Sequence, residues 1–318
     1  MAMPLVETKN LKKYFKTGAG MLHAVEDVNL KIMPGKTLGV VGESGCGKST
    51  LGRTILRLQP ATSGEVLYNG ENILKYKGKD MQKIHLNMQM VFQDPYSSLD
   101  PRMSVHNLIA EPVQVCGLLK TKAEINEHVR EIMDMCGLPA DQANLFPHEL
   151  DGGLRQRVGL ARAMAVSPKF IVCDEPVSAL DVSIQAQILN LLMDLQEQRE
   201  LSYMFITHDL CVVKHISDEI MVMYMGQVVE HAKTAELFAN PVHPYTKALL
   251  HAVPTIDLSK RNREGFMLRG EVTSPINPAP GCRFAPRCLH ARPECFNTQP
   301  QLTEITPGHF VACHLHSK

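Results

Sequence analysis

Hydrophobic and polar positions change rhythm several times along the chain, and each change marks an element. Residues 1–35 read as β-rich and stop at the turn signal Pro34-Gly35. Thr37 to Val41 is a short apolar run that ends at a glycine-rich loop, and a helical pattern follows from Lys48 to Leu58. Met88 to Phe92 predicts another strand. Residues 100–165 read as mostly helical, with loops at Gly137-Leu138-Pro139 and Asp151-Gly152-Gly153. The run Phe170-Ile171-Val172-Cys173 predicts a buried strand. From Asp181 to Glu200, the apolar residues Ile184, Ile188, Leu191, Leu192 and Leu195 fall on one face of a helix. Tyr203 to Ile206 and Ile220 to Met225 complete the strands. Strands alternating with helices predict a largely parallel sheet covered on both faces. Past about residue 253, Pro254, Pro275, Pro278, Pro280 and Pro286 break the rhythm and predict an irregular appendage.

Composition narrows the class. The chain has 318 residues, enough for one large α/β domain with an appendage. Its 33 Lys and Arg balance 33 Asp and Glu and no Lys/Arg block stands out, so nucleic acid is not expected as the main partner, although an uneven distribution of charge in the fold could still hide a basic face. No apolar run approaches the roughly 18 residues that span a bilayer, and Met1 to Lys13 lacks the apolar centre of a secretory signal. A cytoplasmic location is the expectation. Five of the nine cysteines are scattered (Cys46, Cys116, Cys136, Cys173, Cys211), and four gather near the end: Cys282, Cys288, Cys295 and Cys313. In a reducing compartment they read as buried apolar residues or metal ligands before disulfides.

The chemistry starts in the loop Gly42-Glu43-Ser44-Gly45-Cys46-Gly47-Lys48-Ser49-Thr50, which fits G-x-x-x-x-G-K-[ST] between a strand and a helix. Its glycines let backbone N–H groups converge on phosphate oxygens, and the helix N-terminus favours the same anion. Lys48 is placed to reach the β- and γ-phosphates of ATP, and Ser49 to ligate Mg²⁺. Asp174-Glu175 ends the buried run at Phe170–Cys173, where parallel sheets bind ligands. Asp174 is the natural Mg²⁺ partner, and Glu175 is placed to orient or deprotonate the attacking water.

Four further segments narrow the class: Phe92-Gln93-Asp94-Pro95, Leu150-Asp151-Gly152-Gly153-Leu154-Arg155-Gln156-Arg157, Ser178-Ala179-Leu180-Asp181 and Thr207-His208-Asp209. In order and spacing the chain resembles the ABC transporter ATPases over at least residues 5–240. The resemblance implies a P-loop NTPase (RecA-like) α/β core with an antiparallel β subdomain, a helical subdomain near 97–165, and two subunits sandwiching two ATPs head to tail. It also implies roles. Gln93 contacts Mg²⁺ and the attacking water. Gly152 and Gly153 meet the γ-phosphate on the opposite subunit. Asp181 lies at the dimer seam, and His208 contacts the γ-phosphate. Phe15, in Lys12-Lys13-Tyr14-Phe15, stacks on adenine, with Tyr14 as the alternative.

Asn240-Pro241-Val242-His243-Pro244-Tyr245-Thr246-Lys247-Ala248-Leu249-Leu250 and Asp94 to Arg102 are similar to segments of dipeptide and oligopeptide importers and of related nickel importers. That resemblance divides the chain into an ATPase domain, 1–253, and a C-terminal appendage, 254–318. It implies a paralogous ATPase subunit or a homodimer, two membrane permease subunits, an extracellular peptide-binding protein, and a peripheral place on the cytoplasmic face of the cell membrane. The cysteine intervals in the appendage are x5, x6 and x17, with no C-x2-C, so a common zinc ribbon fits poorly. Four thiolates in a Pro-rich, core-poor segment suit an iron–sulfur cluster, and the resemblance points to [4Fe–4S]. His290, His314 and His316 keep a mixed zinc site open, and four unligated thiols are the remaining alternative.

The family signature reads Leu-Ser-Gly-Gly-Gln and this chain reads Leu150-Asp151-Gly152-Gly153-Leu154; one of the departures is serious. Where its signature carries serine, this chain has Asp151, which brings a charge toward the γ-phosphate of the composite site. Repulsion and an asymmetric pair of sites are the expectation. A carboxylate turned inward to cap the helix that begins near Gly153 would soften it. A soluble ABC ATPase of DNA repair or translation and a catalytically dead regulatory subunit are the two rival readings. Retention of Lys48, Asp174, Glu175 and His208 speaks against the second.

Overall fold

A computed structural model of the chain describes residues 3–252 and 275–316. Along the chain the elements are β1 (Val6–Thr17), β2 (Gly20–Ile32), β3 (Thr37–Val41), α1 (Lys48–Ile55), β4 (Ser63–Tyr68), β5 (Glu71–Asn72), α2 (Gly78–Asn87), β6 (Met88–Val91), α3 (Pro95–Ser98), α4 (Val105–Val115), α5 (Lys122–Met135) and α6 (Gly152–Met164). They continue with β7 (Phe170–Asp174), α7 (Val182–Arg199), β8 (Ser202–Thr207), α8 (Leu210–Ile216), β9 (Glu219–Tyr224), β10 (Gln227–Lys233), α9 (Thr234–Ala239), α10 (Pro244–Ala252), α11 (Pro293–Asn297), β11 (Thr303–Thr306) and β12 (His309–Val311).

The chain forms two compact units. One contains the residues up to Met33, Thr37–Leu74 and the described residues from Phe205 onward; the other contains Pro34–Lys36 and Lys75–Met204. In the first unit β1 pairs antiparallel with β2 and β4, and β4 with β5. A second run of strands has the order β11-β12-β10-β9-β3. Within it β3 and β9 pair in parallel, Val40 facing Met221. β3 and β9 are buried nearly throughout, as a strand covered on both faces requires. Their core joins Val41, Val222, Tyr224 and Tyr245 to Leu210 and Val213 of α8.

In the second unit β6 and β7 pair in parallel, Met90 beside Val172. Phe170 to Asp174 are all fully buried. Helices α4, α5 and α6 pack around Leu108, Ile109, Val129, Ile132 and Val158. Thr121 and Glu124 form a reciprocal capping box that starts α5. Helix α7 buries Ile188, Leu189, Leu192 and Leu195, while Ile184 and Leu191 are half-buried. The expected stripe is there, widened by Leu189. Among the described residues no helix is long and apolar enough to cross a membrane.

The appendage differs from its expected character. Pro254 lies outside the described residues. From residue 275 the segment carries a β-hairpin, β11–β12, and β12 pairs antiparallel with β10, Val311 opposite Glu230. The segment is not core-poor. Phe284 is 2% exposed and meets Tyr224 edge-on at 5.2 Å and Tyr245 at 5.5 Å. A single phenylalanine among prolines has no period, so the sequence pattern hides its burial.

Candidate functional site

The loop between β3 and α1 closes over its own backbone. Gly42 has φ +154°, and a Cβ there would sit 2.2 Å from the Met223 carbonyl oxygen. Gly47 has φ +104°, and its Cβ would sit 2.0 Å from the Ala24 carbonyl. Neither place admits another residue without movement. Lys48 is 4% exposed, and its Nζ donates to the carbonyls of Gly42 at 2.8 Å and Glu43 at 3.0 Å. The Gly226 N–H donates to the Cys46 carbonyl at 2.8 Å. Burial pushes the Cys46 thiol up, so it stays protonated and behaves as core. Ser44 and Gly45 face solvent; Ser49 and Thr50 are partly buried at the start of α1. The first turn of α1 holds no acidic residue, which leaves its N-terminal dipole uncompensated for an anion.

Phe15 lies on β1, partly buried, with the Lys13 Nζ 4.6 Å from its ring centre. Tyr14 is already committed. Its ring stacks on His23 at 4.0 Å and its hydroxyl donates to Glu26 Oε1 at 2.5 Å. Burial and that hydrogen bond push its phenol up to about 12. His208 is exposed just past β8, and Asp209 caps α8 by accepting from the Cys211 N–H at 2.7 Å.

In the second unit the parallel pairing of β6 and β7 brings their ends together. Gln93, two residues past β6, donates through Nε2 to Glu175 Oε2 at 3.1 Å. Glu175 has φ +47°, a left-handed conformation uncommon for a residue with a side chain, and Asp174 beside it is fully buried. The Glu175 carbonyl accepts from Ser178 Oγ at 3.1 Å, and Gln185 Nε2 donates to the carbonyls of Val177 and Leu180. Those bonds turn the chain so that exposed Asp181 starts α7. Asp151 starts α6: its Oδ1 accepts from the Leu154 N–H at 2.8 Å. Gly152 and Gly153 follow. A Cβ on Gly152 would sit 3.2 Å from Leu180 and one on Gly153 2.7 Å from Ile184, so both glycines pack against the turn that carries Asp181 and against α7. The capping carboxylate is thus present, with the helix beginning one residue earlier than expected.

Cys282, Cys288, Cys295 and Cys313 line one small cavity together with His243, His290 and His314. His316 does not line it. The His290 N–H points at Cys288 Sγ and the Arg292 N–H at Cys295 Sγ, both at 3.4 Å. Burial pushes the Cys282 thiol up to about 11, with Cys295 and Cys313 adding to the rise. Among the described residues no group of three His, Cys, Asp or Glu side chains is arranged as a ready metal-binding set. The thiols converge without forming a coordination sphere.

Some functional candidates carried no role in the sequence reading. Tyr245 Oη accepts from the Glu43 N–H at 2.8 Å, and Arg287 grips the Glu43 carboxylate with two bonds, 2.7 and 3.0 Å. Tyr245 lies in the importer-like segment 240–250 and Arg287 in the cysteine-bearing C-terminal segment, and no local pattern in either announces a contact with Glu43.

This geometry is that of an ATP-binding cassette. A family model described as ABC transporter matches residues 25–178, and one described as the C-terminal region of oligopeptide/dipeptide transporters matches 229–295. The oligopeptide transport ATP-binding protein AppF of Bacillus subtilis is 47% identical over 98% of this chain and 98% of its own length. The oligopeptide transport ATP-binding protein OppF of Haemophilus influenzae is 48% identical over 96% of this chain and 92% of its own. Among solved structures, the dimeric ABC transporter cassette MJ0796 matches with TM-score 0.66 and 29% identity, covering 72% of this chain and 98% of that one. The same cassette in a post-hydrolysis state bound to ADP and Pi matches with TM-score 0.66 and 30% identity, over the same shares. The chain belongs to the ABC transporter ATPases, and within them to the group with the oligopeptide/dipeptide transporter C-terminal region.

Proposed function

We propose that this chain is the ATP-hydrolysing subunit of an ABC importer for di- or oligopeptides, docked on the cytoplasmic face of two membrane permease subunits. A paralogous ATPase or a second copy completes the sandwich, and an extracellular binding protein delivers the peptide. The near full-length likeness to oligopeptide transport ATP-binding proteins of two bacteria supports the substrate class.

The Gln93–Glu175 hydrogen bond carries the hydrolytic reading, because it gathers the two water-handling side chains at adjacent strand ends. Gly42, Glu43, Ser44, Gly45, Cys46, Gly47, Lys48, Ser49 and Thr50 receive the phosphates. Lys48 leaves its carbonyl partners for the β- and γ-oxygens. Ser49, Gln93 and Asp174 would hold Mg²⁺, which when bound neutralises charge on the transferring phosphoryl group. Glu175 orients or deprotonates the attacking water, and His208 holds the γ-phosphate. Phe15 stacks on adenine, since Tyr14 is occupied by His23 and Glu26. Asp151, Gly152, Gly153 and Asp181 face the nucleotide of the opposite subunit. Catalysis is then mainly positioning and electrostatic stabilisation.

We keep an iron–sulfur cluster at Cys282, Cys288, Cys295 and Cys313 as a proposal: the four thiols border one cavity and N–H groups are aimed at two of the sulfurs, and loading requires the thiols to close from their present arrangement. A [4Fe–4S] cluster there would cross-link the segment; zinc with His243, His290 or His314 is the alternative. Loading requires thiolates, so it releases protons and is favoured as pH rises. Anaerobic purification should yield iron and sulfide in matched amounts. Stoichiometric zinc, or no metal, would end the cluster reading.

Affinity purification from membranes tests the whole. Permease subunits and a second ATPase should co-purify. A chain recovered only from the soluble fraction, with no membrane subunit bound, would favour a soluble ABC ATPase instead.

A further inference from the structure

The nucleotide loop is held from outside by the C-terminal segment. Glu43, its second residue, is fixed at three points. Its carbonyl accepts from Lys48, its N–H donates to Tyr245 Oη, and its carboxylate receives both Nη atoms of Arg287. Arg287 is 7% exposed and ends a short turn, Ala285–Arg287, between Cys282 and Cys288. It has a built seat. Its Nη1 also lies 3.4 Å from the Tyr224 hydroxyl, and its guanidinium lies 5.8 Å from the Tyr224 ring centre. Tyr224, Tyr245 and Phe284 pack on one another, so the two groups that hold Glu43 share one rigid aromatic cluster. A second arginine of the same segment, Arg283, donates to Glu26 Oε2 at 2.9 Å and to the Met225 carbonyl; Glu26 in turn holds Tyr14 beside Phe15.

A bidentate guanidinium–carboxylate pair fixes direction as well as distance. Here it fixes the loop whose N–H groups must face phosphate. We propose that Arg287 is a positioning residue for ATP: reaching from the cysteine-bearing segment, it holds Glu43 and with it the nucleotide loop in the conformation that receives the phosphates. In this role Arg287 acts through Glu43. The C-terminal segment thereby sets how tightly the cassette binds ATP, whatever its cysteines hold. The inference rests on the reading that Gly42–Thr50 is the phosphate loop.

Mg-ATP affinity of the full-length chain, measured by titration calorimetry in a mutant cycle, tests it. Arg287→Gln and Glu43→Gln should each weaken Mg-ATP binding by about fivefold or more, and the double variant should bind no worse than the weaker single one. Arg287→Lys, which keeps the charge and loses the fork, should weaken binding at least twofold in the wild-type background and not at all beside Glu43→Gln. It carries the same reading should Arg287→Gln fail to fold. A purely structural role would lower the melting temperature without this non-additivity in affinity. Wild-type affinity in the Arg287 variants, or effects that multiply in the double variant, would overturn the proposal. Lys48→Ala separates the two levels: if it leaves binding intact, the phosphate-loop reading itself fails.

Discussion

Asp151 stands where the resemblance leads one to expect a serine, and its geometry sharpens the question. Its carboxylate caps α6 through the Leu154 N–H, so the charge is turned to backbone donors while the side chain stays exposed. Serine caps helices about as well as aspartate, so Asp151→Ser keeps the helix start and removes only the charge. A unit charge about 4 Å from a phosphate charge costs roughly 1 kcal/mol in water and roughly 4 at an effective dielectric near 20. Asp151→Ser should therefore raise ATP turnover in the assembled complex. An unchanged or slower rate would mean that the cap has already accommodated the charge. The residues of the phosphate loop were legible because their spacing is fixed by a phosphate. The commitment of Tyr14 to His23 and Glu26 was not, since those partners lie on the next strand and no local pattern announces them.

At the scale of elements, strand β10 shows what periodicity cannot convey. Glu230 on β10 is fully buried and accepts from the backbone N–H groups of Val242 and His243 at 2.8 and 2.9 Å; His309 of β12 lies 2.8 Å away. One carboxylate thus ties the start of α10 and the C-terminal hairpin to the same strand. His243 also takes part as an acceptor, since its Nδ1 receives the Tyr245 N–H at 3.1 Å. Complete burial pushes the His243 imidazole down to about 3. The sign follows. Above about pH 6.5 the ring is neutral in both states and pH changes nothing through it. Below that, the unfolded chain takes up a proton that the folded chain refuses. Stability should fall by up to about 1.4 kcal/mol per pH unit between the two values. His243→Gln, which keeps an acceptor and cannot titrate, should flatten that slope in denaturant melts between pH 4 and 7. An unchanged slope would place the acid sensitivity elsewhere. The strands at Thr37–Val41 and Phe170–Asp174 were readable as apolar runs, whereas β11 and β12 were not, being four and three residues long and partly polar.

For the whole molecule, the C-terminal segment belongs to the folded core of its unit. Phe284 shares a buried cluster with Tyr224 and Tyr245, and Cys282 and Cys288 pack against it. Phe284→Ala should cost about 3–5 kcal/mol, as large-to-small changes in aromatic cores do, and lower the denaturation midpoint accordingly. A shift of a few tenths would show the segment to be a loosely attached tail. The ATPase class was legible over the whole cassette because each motif answers to one nucleotide. The packing of the tail was not, because it depends on single residues spaced by proline.

In the proposed function Glu175, held by Gln93, orients or deprotonates the water that converts bound ATP to ADP and phosphate. The direct measurement is ATP binding and turnover by the complex purified from membranes, wild type against Glu175→Gln. Mg-ATP binding should persist while turnover falls by on the order of 10²–10⁴, the usual worth of a general base. Near-normal turnover with Glu175→Gln would contradict the account.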